Sequence, residues 1–203
     1  MRTSPGAIGV LATLAIGWTV WSCGEGPTHS APHTLATEDA PSVPTTEEFL
    51  GWALQGDVVR LEAAIAAGAD LHSKTAEGAT AVMLASFQGH TDAVHSLLQQ
   101  GADVGQRDHS GRTALMYASS GPFAQTVELL LENGAEVNRV DAVEEWTALM
   151  FAGGEGLTEV IPVLLRHGAD PDLKDVDGDT ALTFAQRNGH EAAAVLLKGA
   201  MHE

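Results

Sequence analysis

Few side chains in this chain are spaced for chemistry, and each candidate fails on its geometry. The densest carboxylate run is Asp170-Pro171-Asp172-Leu173-Lys174-Asp175-Val176-Asp177-Gly178-Asp179. A helix-loop-helix calcium site needs an acidic first residue, glycine at the sixth position and glutamate at the twelfth. Placing Gly178 sixth puts Leu173 first and Phe184 twelfth, so calcium is not expected. His29 and His33 are four apart, a ligand pair if they lay on a helix, but prolines surround them. His90 and His190 each follow a glycine and read as a recurring structural feature, while His72 and His167 have no Cys or His at ligand spacing. There is no G-x-S-x-G, no phosphate-binding loop and no H-E-x-x-H. No carboxylate pair sits in a charge-poor context that would shift its pKa. The expectation is no catalytic residue, no metal, no cofactor and no enzymatic activity.

Cys23 is the only cysteine, so no intrachain disulfide can form. It ends the apolar run Ala7 to Val20, which follows Met1 and Arg2. That run is short for a membrane span and suits the core of a signal peptide, and no A-x-A-like cleavage site follows it. Val20-Trp21-Ser22-Cys23 resembles a bacterial lipobox, from which Trp21 departs. The resemblance implies a signal peptide over 1–22 and lipidation of Cys23. The chain would then be a lipoprotein of the cell membrane or outer membrane, facing the periplasm or the exterior. An uncleaved N-terminal anchor and ordinary cleavage are the alternatives. Residues 23–46 hold Pro27, Pro32, Pro41 and Pro44 among Ser, Thr and Gly, a composition that buries no core and predicts a disordered tether.

The net charge is −17 in 203 residues, with 44% apolar and only 5% aromatic residues. Such a charge disfavours nucleic acid and anionic lipid head groups as partners.

The elements that carry these residues repeat. Gly68, Gly101, Gly134 and Gly168 are spaced 33, 33 and 34 apart, and Thr80, Thr113, Thr147 and Thr180 are spaced 33, 34 and 33. Gly56, Gly89, Gly156 and Gly189 hold the same frame, with Pro122 in the third slot. One extra residue therefore lies between Gly134 and Thr147. Each unit reads as two short helices with a glycine break, and a fixed period of this length marks a stacked repeat array. Thr45-Thr46-Glu47-Glu48 is a capping box for the first helix, and Asp57 caps the second. The fourth unit is least regular. Glu145 stands where the others have glycine, Gly153 and Gly154 weaken its first helix, and Pro162 falls early in its second. The fifth unit is expected to be the C-terminal cap.

The T-A-L-M, G-H, L-L and G-A-D elements in this frame resemble the ankyrin repeat. The family's T-P-L-H tetrapeptide is replaced by TAVM, TALM, TALM and TALT. The resemblance implies an all-α ankyrin-repeat solenoid of about five helix-turn-helix repeats with short hairpin-like loops. The repeats are placed at about 47–77, 78–110, 111–144, 145–177 and 178–203, making a domain of 47–203. It also implies a protein-binding concave face lined by loops and first helices. The solvent-facing positions it marks are the residue before the loop glycine, the residue after it, and the pair before the mid-unit glycine. Candidate partner-binding residues are Glu77, Phe87, Gln88, His109, Arg112, Glu144, Trp146, Glu155, Asp179 and Arg187, with Ala79 and Gly154 at equivalent places. Trp146 and Phe87 stand out as exposed aromatics. Leu84, Tyr117, Phe151 and Phe184 form an aligned stripe read mostly as core. The expected function is a monomeric, membrane-tethered scaffold that binds another protein. The alternatives are an accessory factor for a co-exported enzyme and an enzyme with a composite groove site.

Overall fold

The computed structural model describes residues 43–201. The expected signal peptide, Cys23, His29, His33 and the tether up to residue 42 lie outside the described residues. Within them ten helices run as five hairpins: α1 (Thr46–Gln55) and α2 (Val58–Ala66), α3 (Ala81–Phe87) and α4 (Thr91–Gln99), α5 (Ala114–Ala118) and α6 (Ala124–Glu132), α7 (Ala148–Gly154) and α8 (Val160–Arg166), α9 (Ala181–Arg187) and α10 (Glu191–Ala200). First helices pack on first helices and second helices on second, so each repeat meets only its neighbours. No helix among the described residues is long and apolar enough to cross a membrane.

The recurring residues account for the hairpins. Thr80, Thr113, Thr147 and Thr180 are buried N-caps whose Oγ1 accepts the amide three residues on, at 3.4, 3.4, 3.2 and 3.3 Å. In the first unit Thr45 does the same for Glu48, whose carboxylate accepts the Thr45 amide at 2.9 Å. Asp57 caps α2 by accepting from the Arg60 amide. His90 and His190 do not cap with their side chains. Their rings lie instead against the mid-unit glycines of the preceding repeats, Gly56 and Gly156, and Phe123 lies likewise against Gly89. Those glycines have φ of 70°, and a Cβ on any of them would come within 2.6 Å of the ring.

The core is a continuous row of buried side chains, among them Phe49, Leu61, Met83, Leu97, Leu115, Leu130, Leu149, Ile161, Leu164 and Leu197. Burying each is worth about 1.5–3 kcal/mol relative to exposure. The last repeat breaks this pattern. Met83, Met116 and Met150 are followed in register by half-buried Thr183, and half-buried Leu98, Leu131 and Leu165 by exposed Lys198.

The fourth repeat absorbs its irregularities. α8 starts at Val160, later than the register of the other second helices, so Pro162 falls in its first turn, where no intrahelical amide is needed. Gly153 and Gly154 are both inside α7 and both buried. Gly153 occupies the place of Ser86 and Ser119, whose hydroxyls are buried without a hydrogen-bond partner. Replacing Ser119 by alanine should therefore raise stability by about 1 kcal/mol, because a buried unsatisfied group is removed with little change of shape. Denaturant midpoints compared at constant slope would check it.

Candidate partner-binding surface

The loops between repeats are built by one side chain each. In the first loop Thr75 Oγ1 accepts from the amides of Glu77 and Ala79, both at 3.2 Å. Asp108 Oδ1 takes the amides of Ser110 and Arg112 at 2.8 and 2.9 Å, and Asp175 Oδ1 those of Asp177 and Asp179 at 3.0 and 2.8 Å. In the third loop Asp141 Oδ1 accepts from Val143, Glu144 and Trp146 at 3.2, 2.9 and 3.4 Å. Its longer turn accommodates the extra residue. Two isolated antiparallel bridges, Lys74 with Thr80 and Val140 with Thr147, complete the hairpin-like shape.

The second carboxylate oxygen of each loop aspartate is directed at a side chain in or just before a first helix. Asp108 Oδ2 accepts from the Tyr117 hydroxyl at 2.7 Å. Burial, and then this hydrogen bond, push the Tyr117 phenol well above its usual range, so it remains a donor at physiological pH. Asp175 Oδ2 accepts from Trp146 Nε1 at 3.2 Å. Asp141 Oδ2 faces Arg112 Nε at 3.7 Å. The loop tips are then joined in series by backbone hydrogen bonds. His109 donates to the Glu77 carbonyl at 3.0 Å, Ala142 to Ser110 at 2.8 Å and Val176 to Glu144 at 3.2 Å. The result is a fixed edge, with little freedom left to lose on binding.

Glu145 is the one non-glycine residue with positive φ among the described residues, at 60°. Gly78, Gly111 and Gly178 adopt φ of 86°, 78° and 84° at the same place in the other loops. A side chain there costs about 1 kcal/mol. Glu145→Gly should accordingly stabilise the chain by about 1 kcal/mol in equilibrium denaturation.

Several residues expected to face solvent do not do so freely. Trp146 is half-buried and packs edge-on to Phe151 and Phe184, with centroids 5.2 and 4.9 Å away. Arg112 spans Asp141 and the Phe151 ring, and Arg187 pairs with Asp179 at 2.5 Å above the Phe184 ring. Ala79 and Gly154 are buried. Phe87 is half-buried, edge-on to Tyr117 at 5.9 Å. For Trp146, Arg112, Arg187 and Phe87 the physical reason is contact with an aromatic ring, which gives more than water does. Trp146→Phe keeps the ring contacts but strands the Asp175 oxygen. It should cost about 1 kcal/mol, readable from thermal unfolding. The stripe divides as well, for Phe151 and Phe184 are buried while Leu84 and Tyr117 are half-buried. Glu77, Gln88, His109, Glu144 and Glu155 are exposed.

Sequence reasoning placed Asp175 in the densest carboxylate run but did not assign Asp108, Asp141 and Asp175 their second role. Their place five residues before the capping threonine, or six in the longer Asp141 loop, was the available signal. Among the described residues no group of three or more His, Cys, Asp or Glu is placed to hold a metal. Two shallow clefts, of about 330 and 250 Å³, open at the starts of α4 and α6 and share Gly89, Thr91 and Gln125.

A search of curated proteins returns no match. The family described as ankyrin repeats (3 copies) matches residues 50–141 and 123–202, spanning nearly all ten helices. The stacked hairpins, threonine caps and loop ladder agree with that match, and the chain belongs to the ankyrin-repeat family.

Proposed function

We propose that this chain is an exported scaffold, tethered by a lipid on Cys23, that binds a partner protein with its loop edge and first helices. Ankyrin repeats generally mediate protein–protein interaction, and proteins built from them are typically non-enzymatic scaffolds. The observation that carries the reading is the combination of a hydrogen-bonded loop ladder with outward side chains exposed to solvent. Glu77, Gln88, His109, Glu144 and Glu155 are exposed on backbone that is already fixed. Such a surface binds by complementarity and needs no reacting group. The tether and anchor rest on the composition of residues 23–46 and on Val20-Trp21-Ser22-Cys23. From there the domain would face the periplasm or the exterior as a monomer.

The test is affinity capture from detergent-solubilised membranes with the full chain and with a Gln88→Arg/Glu155→Arg variant. Both positions are exposed, so the variant should fold normally. A protein captured by the wild type and lost in the variant supports the reading, and capture of nothing by the wild type refutes it. Metabolic labelling with a lipid analogue should disappear in Cys23→Ala; labelling that persists rules out the anchor.

A further inference from the structure

Large apolar side chains are strongly exposed at two adjoining loop tips, Val143 at 60% and Val176 at 55%. The tips touch, since the Val176 amide donates to the carbonyl of Glu144, the residue after Val143, at 3.2 Å. The loops at Thr75 and Asp108 carry Ala76 and His109 at the position of Val176. An exposed apolar pair on a hydrogen-bonded edge is the kind of feature that marks a contact site.

The charges around it specify the occupant. Glu144, Glu145 and Asp177 are exposed beside the valines, and among the described residues none of their carboxylates has an ion pair or side-chain hydrogen bond. The arginines of this edge are already committed, Arg112 to Asp141 and Arg187 to Asp179. An acidic rim around an apolar centre complements a segment with the opposite rim. We propose that the paired tips of the third and fourth loops dock an extended or helical segment of the partner protein that presents one or two aliphatic side chains flanked by Lys or Arg. This rests on the scaffold reading above and names the chemistry of the partner. The aliphatic group covers Val143 and Val176, and the flanking cations meet Glu144, Glu145 and Asp177.

Fluorescence anisotropy with three labelled synthetic peptides tests this on the intact chain. One has a Leu-Ile centre with Lys/Arg flanks, one the same centre with Glu flanks, and one a Ser-Ser centre with Lys/Arg flanks. The first should bind, weaken as salt rises, and lose about tenfold in affinity to Val143→Ser/Val176→Ser and to Glu144→Gln/Asp177→Asn. Both variants alter exposed side chains, and circular dichroism checks that they fold. Equal binding of all three peptides, no binding of the first, or affinities unchanged in the variants would overturn the assignment. In the capture experiment, a partner retained by the tip variants but lost in Gln88→Arg/Glu155→Arg also defeats it while leaving the scaffold reading intact. Failure to capture any partner defeats the scaffold reading, and the peptides still decide whether the tips bind.

Discussion

Gly153→Ala should destabilise the chain by about 2–3 kcal/mol, whereas Gly154→Ala should be neutral or stabilising by up to about 1 kcal/mol. The two glycines are adjacent in α7, and helix propensity alone favours alanine at both. The surroundings separate them. A Cβ on Gly153 would stand 2.6 Å from the Ala181 carbonyl oxygen and 3.3 Å from its carbon. That oxygen is backbone at the start of α9, so it moves only if α7 and α9 part. A Cβ on Gly154 would meet nothing closer than 3.9 Å. Neither glycine has positive φ, so no backbone strain enters the comparison. Equilibrium urea denaturation of both variants checks the pair. Equal effects would mean that the fourth and fifth repeats do not approach as closely as described. A parting of α7 and α9 should also expose Leu197, whose methyl lies 3.3 Å from the same Cβ position.

Asp141→Ala should cost about 2–4 kcal/mol, making Asp141 the most sensitive polar residue of the loop edge. Its carboxylate is 2% exposed, accepts three loop amides through Oδ1 and faces Arg112 through Oδ2. Removing it leaves amides without acceptors and a partly buried guanidinium without its counter-charge. Arg112 keeps some contact with water and the face of Phe151, which tempers the loss. Asp141→Asn retains the Oδ1 acceptor and discards the charge, and should fall between wild type and alanine. Denaturation of the three proteins gives that order directly. If alanine and asparagine are equally harmful, the charge pair dominates; if asparagine is harmless, the loop amides do.

Much of the architecture was legible in the residues because it depends on local chemistry. Threonine caps, glycine breaks and the 33-residue frame act within a few positions of themselves, so α2 begins directly after Asp57 and α3 directly after Thr80. The capping box at Thr45 and Glu48 forms as expected. The candidate surface was less legible. Its expected exposed residues were chosen by position in a repeat, which says which side of the chain a residue occupies and not what comes to meet it. Trp146 meets Phe184 of the next repeat and Asp175 of the following loop, and Arg112 meets Asp141. The strain at Glu145 was signalled by the missing glycine, but its φ of 60° could be known only from the folded loop.

The sequence by itself determined the repeat, its period, the helix pairs and the acidic character of the chain, because each follows from short-range steric and hydrogen-bonding preferences or from composition. Only the tertiary structure decided which outward residues remain available. Contacts between residues about 33 apart arise when one repeat is laid on the next. There the same Asp that folds a loop also meets a Trp or Arg from the preceding loop, and the same Gly that weakens a helix lets the next one approach.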